Sequence, residues 1–225
     1  MKKRKSYFAT IFALTAVLTY SNCYANAVEE KFIKAGLVDI HDVDKSIKVD
    51  LVNSDKNKNY FRKDFYNGLA KAYLRKEVAE KLMKAQKLLK VKFPRYSIQI
   101  MDAARPRSVS QHMYDQMKGT SFEKFVANPD KGSMHNYGIA VDVTIVDGDG
   151  REIDMGFTPF YKGNSSIYIG YTRMKMFGLT AAQTKNRTLL SRTMKQAGFL
   201  PLSYEWWHFN GMPKGEARSK YQIIE

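Results

Sequence analysis

The sequence predicts an α+β fold, a single domain built on a central, mostly antiparallel sheet flanked by helices. Three observations predict it. The runs "YSIQIMD" (96–102), "IAVDVTIV" (139–146) and "YEWWHFN" (204–210) have strand character. Residues 74–90, "LRKEVAEKLMKAQKLLK", set Val78, Leu82, Ala85 and Leu89 on one helical face with charge on the other. Strands are joined both by a tight turn, "DGDG" at 147–150, and by segments long enough for helices.

In chain order, residues 28–45 read as a weakly structured lead-in, and Ile47 to Leu51 alternates as a short strand. "NSDKNKN" (53–59) is a loop, and the helix of 74–90 follows. The strand at 96–102 puts Ile98 and Ile100 on one side and runs into "AARPRS". Pro106 forces Arg105 out of helical geometry, so Arg105 sits in a turn just past a strand end. Ser108 is a candidate cap for a helix reaching Met117. A loop with "NPDKG" leads to the strand at 139–146, whose expected hairpin partner is "REIDMG" (151–156). Residues 157–183 read as a long functional loop. "NRTLLSRTMKQAG" (186–198) is a helix closed by Gly198.

The first 27 residues stand apart. Lys2 to Lys5 are followed by an apolar run from Tyr7 to Tyr20 and by the small-x-small pattern Ala25-Asn26-Ala27. This is the pattern of a secretory signal peptide, and the apolar run is short for a membrane span. The expected organisation is a signal at 1–27 and one domain at 28–225, exported to a periplasm or cell surface. A lipoprotein reading would use Cys23, but Asn22 before it does not suit that processing. Cys23 is the one cysteine of the chain, so the domain has no disulfide and no thiol chemistry and rests on its core. The formal charge is +15, and +11 once the four basic and no acidic residues of 1–27 are set aside. The lysines are scattered and no nucleic-acid motif accompanies them, so the excess reads either as a solvated charged surface or as a match for an anionic wall or membrane surface, and not as a nucleic-acid site.

Four histidines are present, and two lie within strand-like motifs beside a carboxylate. His41 lies in the lead-in and His112 in a polar helical stretch. His135 has Asp142 seven residues on, with Gly138 between them to turn the chain; His208 has Glu205 three residues before it. An imidazole and a carboxylate brought together can share a zinc ion, and His208 can supply a third ligand, leaving one position for water. Glu205 is then available to move the water's proton. Residues i and i+3 of a regular strand face opposite ways, so Glu205 needs a turn or a bulge to join His208.

"SMHNYGIAVD" fits S-x-H-x-x-G-x-A-x-D and "EWWHF" fits E-x-W-H. Together with "NYFRKDFYN", "AYLRKEVAEKLMKA", "MDAARP", "DMG" and "NRTLLSRTMKQAGF", in this order over residues 45–210, they resemble the zinc D-alanyl-D-alanine dipeptidases of the VanX type. That group belongs to the zinc D-Ala-D-Ala peptidases, which share a fold with hedgehog signalling domains. The resemblance implies one zinc held by His135, Asp142 and His208, with Glu205 as catalytic base and Arg105 stabilising the oxyanion. It further implies Asp102 as an orienting acid and Ser133 lining the substrate pocket. One departure concerns substrate choice. The family's T-P-F-D holds the substrate ammonium with its aspartate, whereas "MGFTPFYKG" inserts Phe157 and puts Tyr161 at that place. The resemblance implies hydrolysis of D-Ala-D-Ala from cell-wall turnover. The alternatives are a D,D- or L,D-carboxypeptidase trimming peptidoglycan stem peptides, and a non-catalytic wall-binding domain.

Overall fold

The computed structural model describes residues 27–59, 61–120, 123, 126–156, 178–203 and 205–225. Helix α1 covers 27–34 and is followed by strand β1 (Val38–Asp39) and the short helix α2 (Ile40–Val43). Next come β2 (Lys48–Val49), β3 (Tyr73–Leu74), α3 (Lys76–Lys92) and β4 (Ser97–Asp102). Helix α4 (Arg107–Met117), a 3-10 turn at Met134–Tyr137 and β5 (Ala140–Val146) make up the middle of the chain. Helix α5 (Ala181–Gln196), β6 (Leu200–Leu202), β7 (Glu205–Asn210) and α6 (Lys214–Lys220) complete it. The main sheet runs β2-β4-β5-β7-β6, parallel at β2–β4 and antiparallel elsewhere, and β1 pairs separately with β3.

Cross-strand partners share a face of the sheet. Ile98 pairs with Ile145, Ile100 with Val143 and Val141 with Phe209, and all six are fully buried. This apolar face is in one core with Val78, Leu82, Ala85 and Leu89 of α3 and Leu190 and Met194 of α5. The helical stripe expected at 78, 82, 85 and 89 is therefore the face that packs. The other face carries Asp142 opposite both Asp102 and His208. One strand thus sends alternate residues to the core and to a polar cluster.

Several expectations need correction. The lead-in is structured: Phe32, Leu37 and Ile40 are buried core residues, with Ile40 opening α2 and its amide donating to Ala72 O. Helix α4 starts at Arg107 behind Pro106, so Ser108 lies inside its first turn and does not cap it. A fixed φ near −60° and no N–H to satisfy suit proline to a helix start. Residues 181–183 belong to α5, not to a loop: Thr180 accepts from the Gln183 amide while the Gln183 side chain receives the Thr180 amide, a capping box. The partner of β5 at 151–156 reduces to a short pairing, with Val146 opposite Glu152 and Ile153 N bonded to Ile145 O. Helix α6 has no counterpart in the sequence reading. Among the described residues no helix is long and apolar enough to cross a membrane.

Candidate active site

Two irregularities in the sheet build the site. Between Ile100↔Val143 and Asp102↔Asp142, β4 carries one residue more than β5. The extra residue, Met101, turns Asp102 onto the face of Asp142; a regular ladder would have sent it to the helices. In β7 the pairing moves from Pro201↔Phe209 to Leu202↔Glu205, which leaves residues 206–208 without partners on β6. That bulge resolves the i, i+3 conflict, because it brings the Glu205 carboxylate to 3.7 Å from His208 Nδ1.

His135 stands in the 3-10 turn just before β5. Ser133 caps the turn, with Asn136 returning a bond to the Ser133 amide at 2.7 Å. Gly138 closes it at φ 70°, a left-handed conformation in which a side chain would be strained. The turn is tied to the segment after β4: Arg105 N donates to His135 O (3.0 Å), and Asn136 Nδ2 donates to Arg105 O (2.8 Å).

His135, Asp142 and His208 are all buried and converge. His135 Nε2 lies 3.2 Å from His208 Nδ1, His208 Nδ1 lies 3.1 Å from Asp142 Oδ1, and Asp142 Oδ1 lies 3.4 Å from His135 Nε2. A tetrahedral ion bonded at about 2.0–2.1 Å separates its ligand atoms by about 3.3–3.4 Å, so the triangle has the size such an ion requires. The far ring nitrogens fix the tautomers. His135 Nδ1 is 2.7 Å from Ala103 O, and His208 Nε2 is 2.9 Å from Asn210 Oδ1; both oxygens accept. The nitrogens facing the centre therefore offer lone pairs beside a carboxylate oxygen. Two lone pairs and an anionic oxygen repel one another unless a cation or a proton sits among them. Burial opposes charge on Asp142, but His135 and His208 hold its pKa well below the usual carboxylate range. Burial likewise opposes charge on His208, but Asp142 and Glu205 raise its pKa above the ordinary imidazole value. The donor set fits a divalent ion, with zinc as the natural choice for two imidazoles and one carboxylate.

Around the triangle stand the remaining predicted residues. Glu205 is partly exposed, and its burial raises its pKa, which makes it a better proton acceptor than a surface glutamate. Asp102 is fully buried and accepts from Tyr66 Oη (2.8 Å), Asn53 Nδ2 (2.9 Å), its neighbour Ala103 N (3.0 Å) and the Arg105 guanidinium through Nε (3.1 Å) and Nη2. Arg105 spends one edge of its guanidinium on Asp102. Burial works against its charge, yet Asp102, Tyr66 and Asp142 keep it protonated above its ordinary value. Ser133 is half-buried at the mouth of the turn and its hydroxyl acts as the cap. Tyr161 lies outside the described residues. Neither nearby acid of 152–154 is idle: Glu152 accepts from Thr144 Oγ1, and Asp154 accepts from Gly156 N and Gln183.

Sequence reasoning missed Asn53, Tyr66, Asn136 and Asn210. Asn210 was within reach, since it lies two residues after His208 and so on the same strand face. Asn136 was also within reach, from its capping-box spacing after Ser133. Asn53 and Tyr66 meet Asp102 across 49 and 36 residues and leave no local signal.

A buried two-histidine, one-aspartate triangle beside a glutamate and a guanidinium, on the polar face of an α+β sheet, defines a candidate metallohydrolase centre. The peptidase M15 family, described as D-Ala-D-Ala dipeptidase, matches residues 33–224, and the chain belongs to it. The D-alanyl-D-alanine dipeptidase of Escherichia coli strain K12 is 30% identical over 112 residues, which is 49% of this chain and 52% of that one. The alignment therefore spans about half the length of that relative. The D-alanyl-D-alanine dipeptidase of a Synechocystis strain is 27% identical over 180 residues, 64% of this chain and 71% of that one. The solved LdcB LD-carboxypeptidase superposes with a TM-score of 0.40 and 22% identity, over 65% of this chain and 63% of that one.

Proposed function

We propose that the protein is an exported zinc peptidase that hydrolyses D-alanyl-D-alanine to two molecules of D-alanine. The observation that carries this reading is the triangle of His135, Asp142 and His208 with Glu205 at 3.7 Å from one ligand nitrogen. Zinc, when bound, supplies Lewis acidity and lowers the pKa of water toward about 7. The chain's own groups then have separate tasks. Glu205 accepts the proton of the attacking water and hands it to the amide nitrogen as the C–N bond breaks. Arg105, held by Asp102, donates to the oxygen on which negative charge develops. Asp102 acts through Arg105; Asn53 and Tyr66 fix Asp102 in turn. Ser133 borders the space where the substrate enters.

A second reading, a carboxypeptidase trimming stem peptides, is favoured by one feature. Tyr161 stands where the family's ammonium-holding aspartate is expected, and a phenol penalises a blocked amino terminus less than a carboxylate does. Measuring D-alanine release from D-Ala-D-Ala, from N-acetyl-D-Ala-D-Ala and from a stem pentapeptide, in the natural protein and in Tyr161→Asp, tests both. Turnover of the free dipeptide with weak rejection of the acetylated form is expected, and Tyr161→Asp should sharpen that rejection. Turnover of the pentapeptide alone would replace the dipeptidase reading, and turnover of none would replace both.

A further inference from the structure

The sheet separates the candidate site from a second chemical surface. Helices α3 and α5 pack against each other over the apolar face, opposite Asp142 and His208. In their outer layer the exposed charged residues are basic with one exception. Helix α3 holds six lysines and two glutamates, and α5 holds four cations and no acid. Lys76, Lys84, Lys87 and Lys92 on α3 and Lys185, Arg192 and Lys195 on α5 are exposed, against one exposed acid, Glu80. None of these seven cations makes an ion pair with a described carboxylate. The second acid, Glu77, is already engaged by Lys220 and Tyr221. Outside these two helices the described residues carry nineteen cations and twenty acids, some of them paired, as in Lys58–Asp50, Lys71–Glu29, Arg95–Asp149 and Arg107–Glu225. Among the described residues the positive excess therefore lies on these two helices.

We propose that the paired outer faces of α3 and α5 form a docking surface for a bilayer rich in anionic phospholipid. Two side-by-side helices spread their charges over a surface two helices wide. The exposed residues of the layer include no aromatic ring on which a base or a sugar could stack. What they offer is charge, and one apolar tip: Val91, 81% exposed, stands among Lys87, Lys90 and Lys92. A lysine field around a small apolar tip matches a headgroup surface, where juxtamembrane basic residues are attracted to anionic lipid. Docking through this layer leaves the polar face of the sheet, with His135, Asp142 and His208, turned away from the lipid and open to peptide.

The test is co-sedimentation of the full chain with vesicles of phosphatidylglycerol and phosphatidylcholine, and with phosphatidylcholine alone. The neutral vesicles report any adsorption through the apolar run at 7–20. The expected result is at least about tenfold stronger partition to the anionic vesicles at 0.1 M salt, largely lost at 0.5 M as the screening length shortens. The triple variant Lys84→Glu, Lys87→Glu, Arg192→Glu should lose that preference. The triple variant Lys56→Glu, Lys118→Glu, Lys131→Glu, with the same net charge, should keep it. All six side chains are exposed, so unchanged melting is expected and checks the fold. Equal loss in both variants would show that only net charge matters and would overturn the surface. No preference for anionic vesicles would overturn it too, and equally tight binding to soluble polyglycerol phosphate would replace the bilayer with a polymer.

Discussion

The two faces of the five-stranded sheet are both buried, yet by different physics. On the helix side Ile98, Ile100, Val141, Val143, Ile145 and Phe209 are shielded from water and satisfied by contact alone. On the site side Asp102, Asp142, His208, Asn210 and Thr144 are nearly as well shielded, and each is held by named hydrogen bonds. Burial here is not a synonym for hydrophobicity. The first face supplies stability, about 25 cal/mol for each Å² of apolar surface removed from water. The second face draws on that stability, because a buried polar group is tolerated only when its partners are all in place.

Mutations should separate the faces. The largest effect is expected at the ligands: His135→Ala or His208→Ala should abolish zinc binding, read by elemental analysis, and activity with it. Fully active, metal-free His208→Ala protein would sink the assignment. Glu205→Gln should retain zinc and lose ~10²–10⁴-fold in kcat, the range for a general acid–base group. Arg105→Ala should also retain zinc, with a loss of about 10²–10³-fold, as for one oxyanion donor. Loss of metal in proportion to activity in either variant would contradict this division of roles. On the opposite face Ile100→Ala should cost about 2–5 kcal/mol in denaturant unfolding, from lost burial and a residual cavity. Zinc stoichiometry should be kept in whatever fraction remains folded; a folded variant that could not bind zinc would mean that the faces are not independent.

The smallest effect tests neither face but the clasp between α3 and α6. Bonds from Lys220, and then Tyr221, lower the pKa of Glu77 below its ordinary 4.5. A carboxyl whose folded pKa is depressed adds stability above its unfolded pKa and loses it as pH falls through the folded value. Glu77→Gln should therefore lower the melting temperature slightly at pH 7, by an amount equivalent to about 0.5 kcal/mol or less for so exposed a pair, and not at all near pH 2. An unchanged deficit at pH 2 would show that the loss comes from packing.

Much of this was legible in the sequence where the signal is local. Alternation marked β4, apolar β-branched and aromatic runs marked β5 and β7, and the stripe at 78, 82, 85 and 89 marked α3. His135 and Asp142 were legible because one short turn and half a strand bring them together. Helix α1 was not legible, since little more than Phe32 marks its inner side within a polar stretch. Helix α6 is seven residues with Ala217 as its buried residue, too short for a period to show. The bulge at Met101 was invisible for a different reason: whether Asp102 faces core or site depends on where β5 docks, and no residue of "IMDAARP" encodes that by itself. Tyr66 and Asn53 follow from the same docking.

The spacing of the ligands has a kinetic consequence. His135 and Asp142 are close along the chain, but His208 reaches Asp142 across 66 residues, and only when β7 has paired with β5. Non-local pairings close late, after the entropy of the intervening loop has been overcome. A binding centre completed so late is absent from most of the folding barrier. Saturating zinc should then leave the refolding rate of the chain nearly unchanged and slow its unfolding, since interactions made after the transition state act on the exit rate. Stopped-flow refolding and unfolding with and without zinc would read the two rates separately, and faster refolding with zinc would place the ligands together much earlier. The ion would act chiefly as a latch on a finished protein, and the chain would have to find its fold without it.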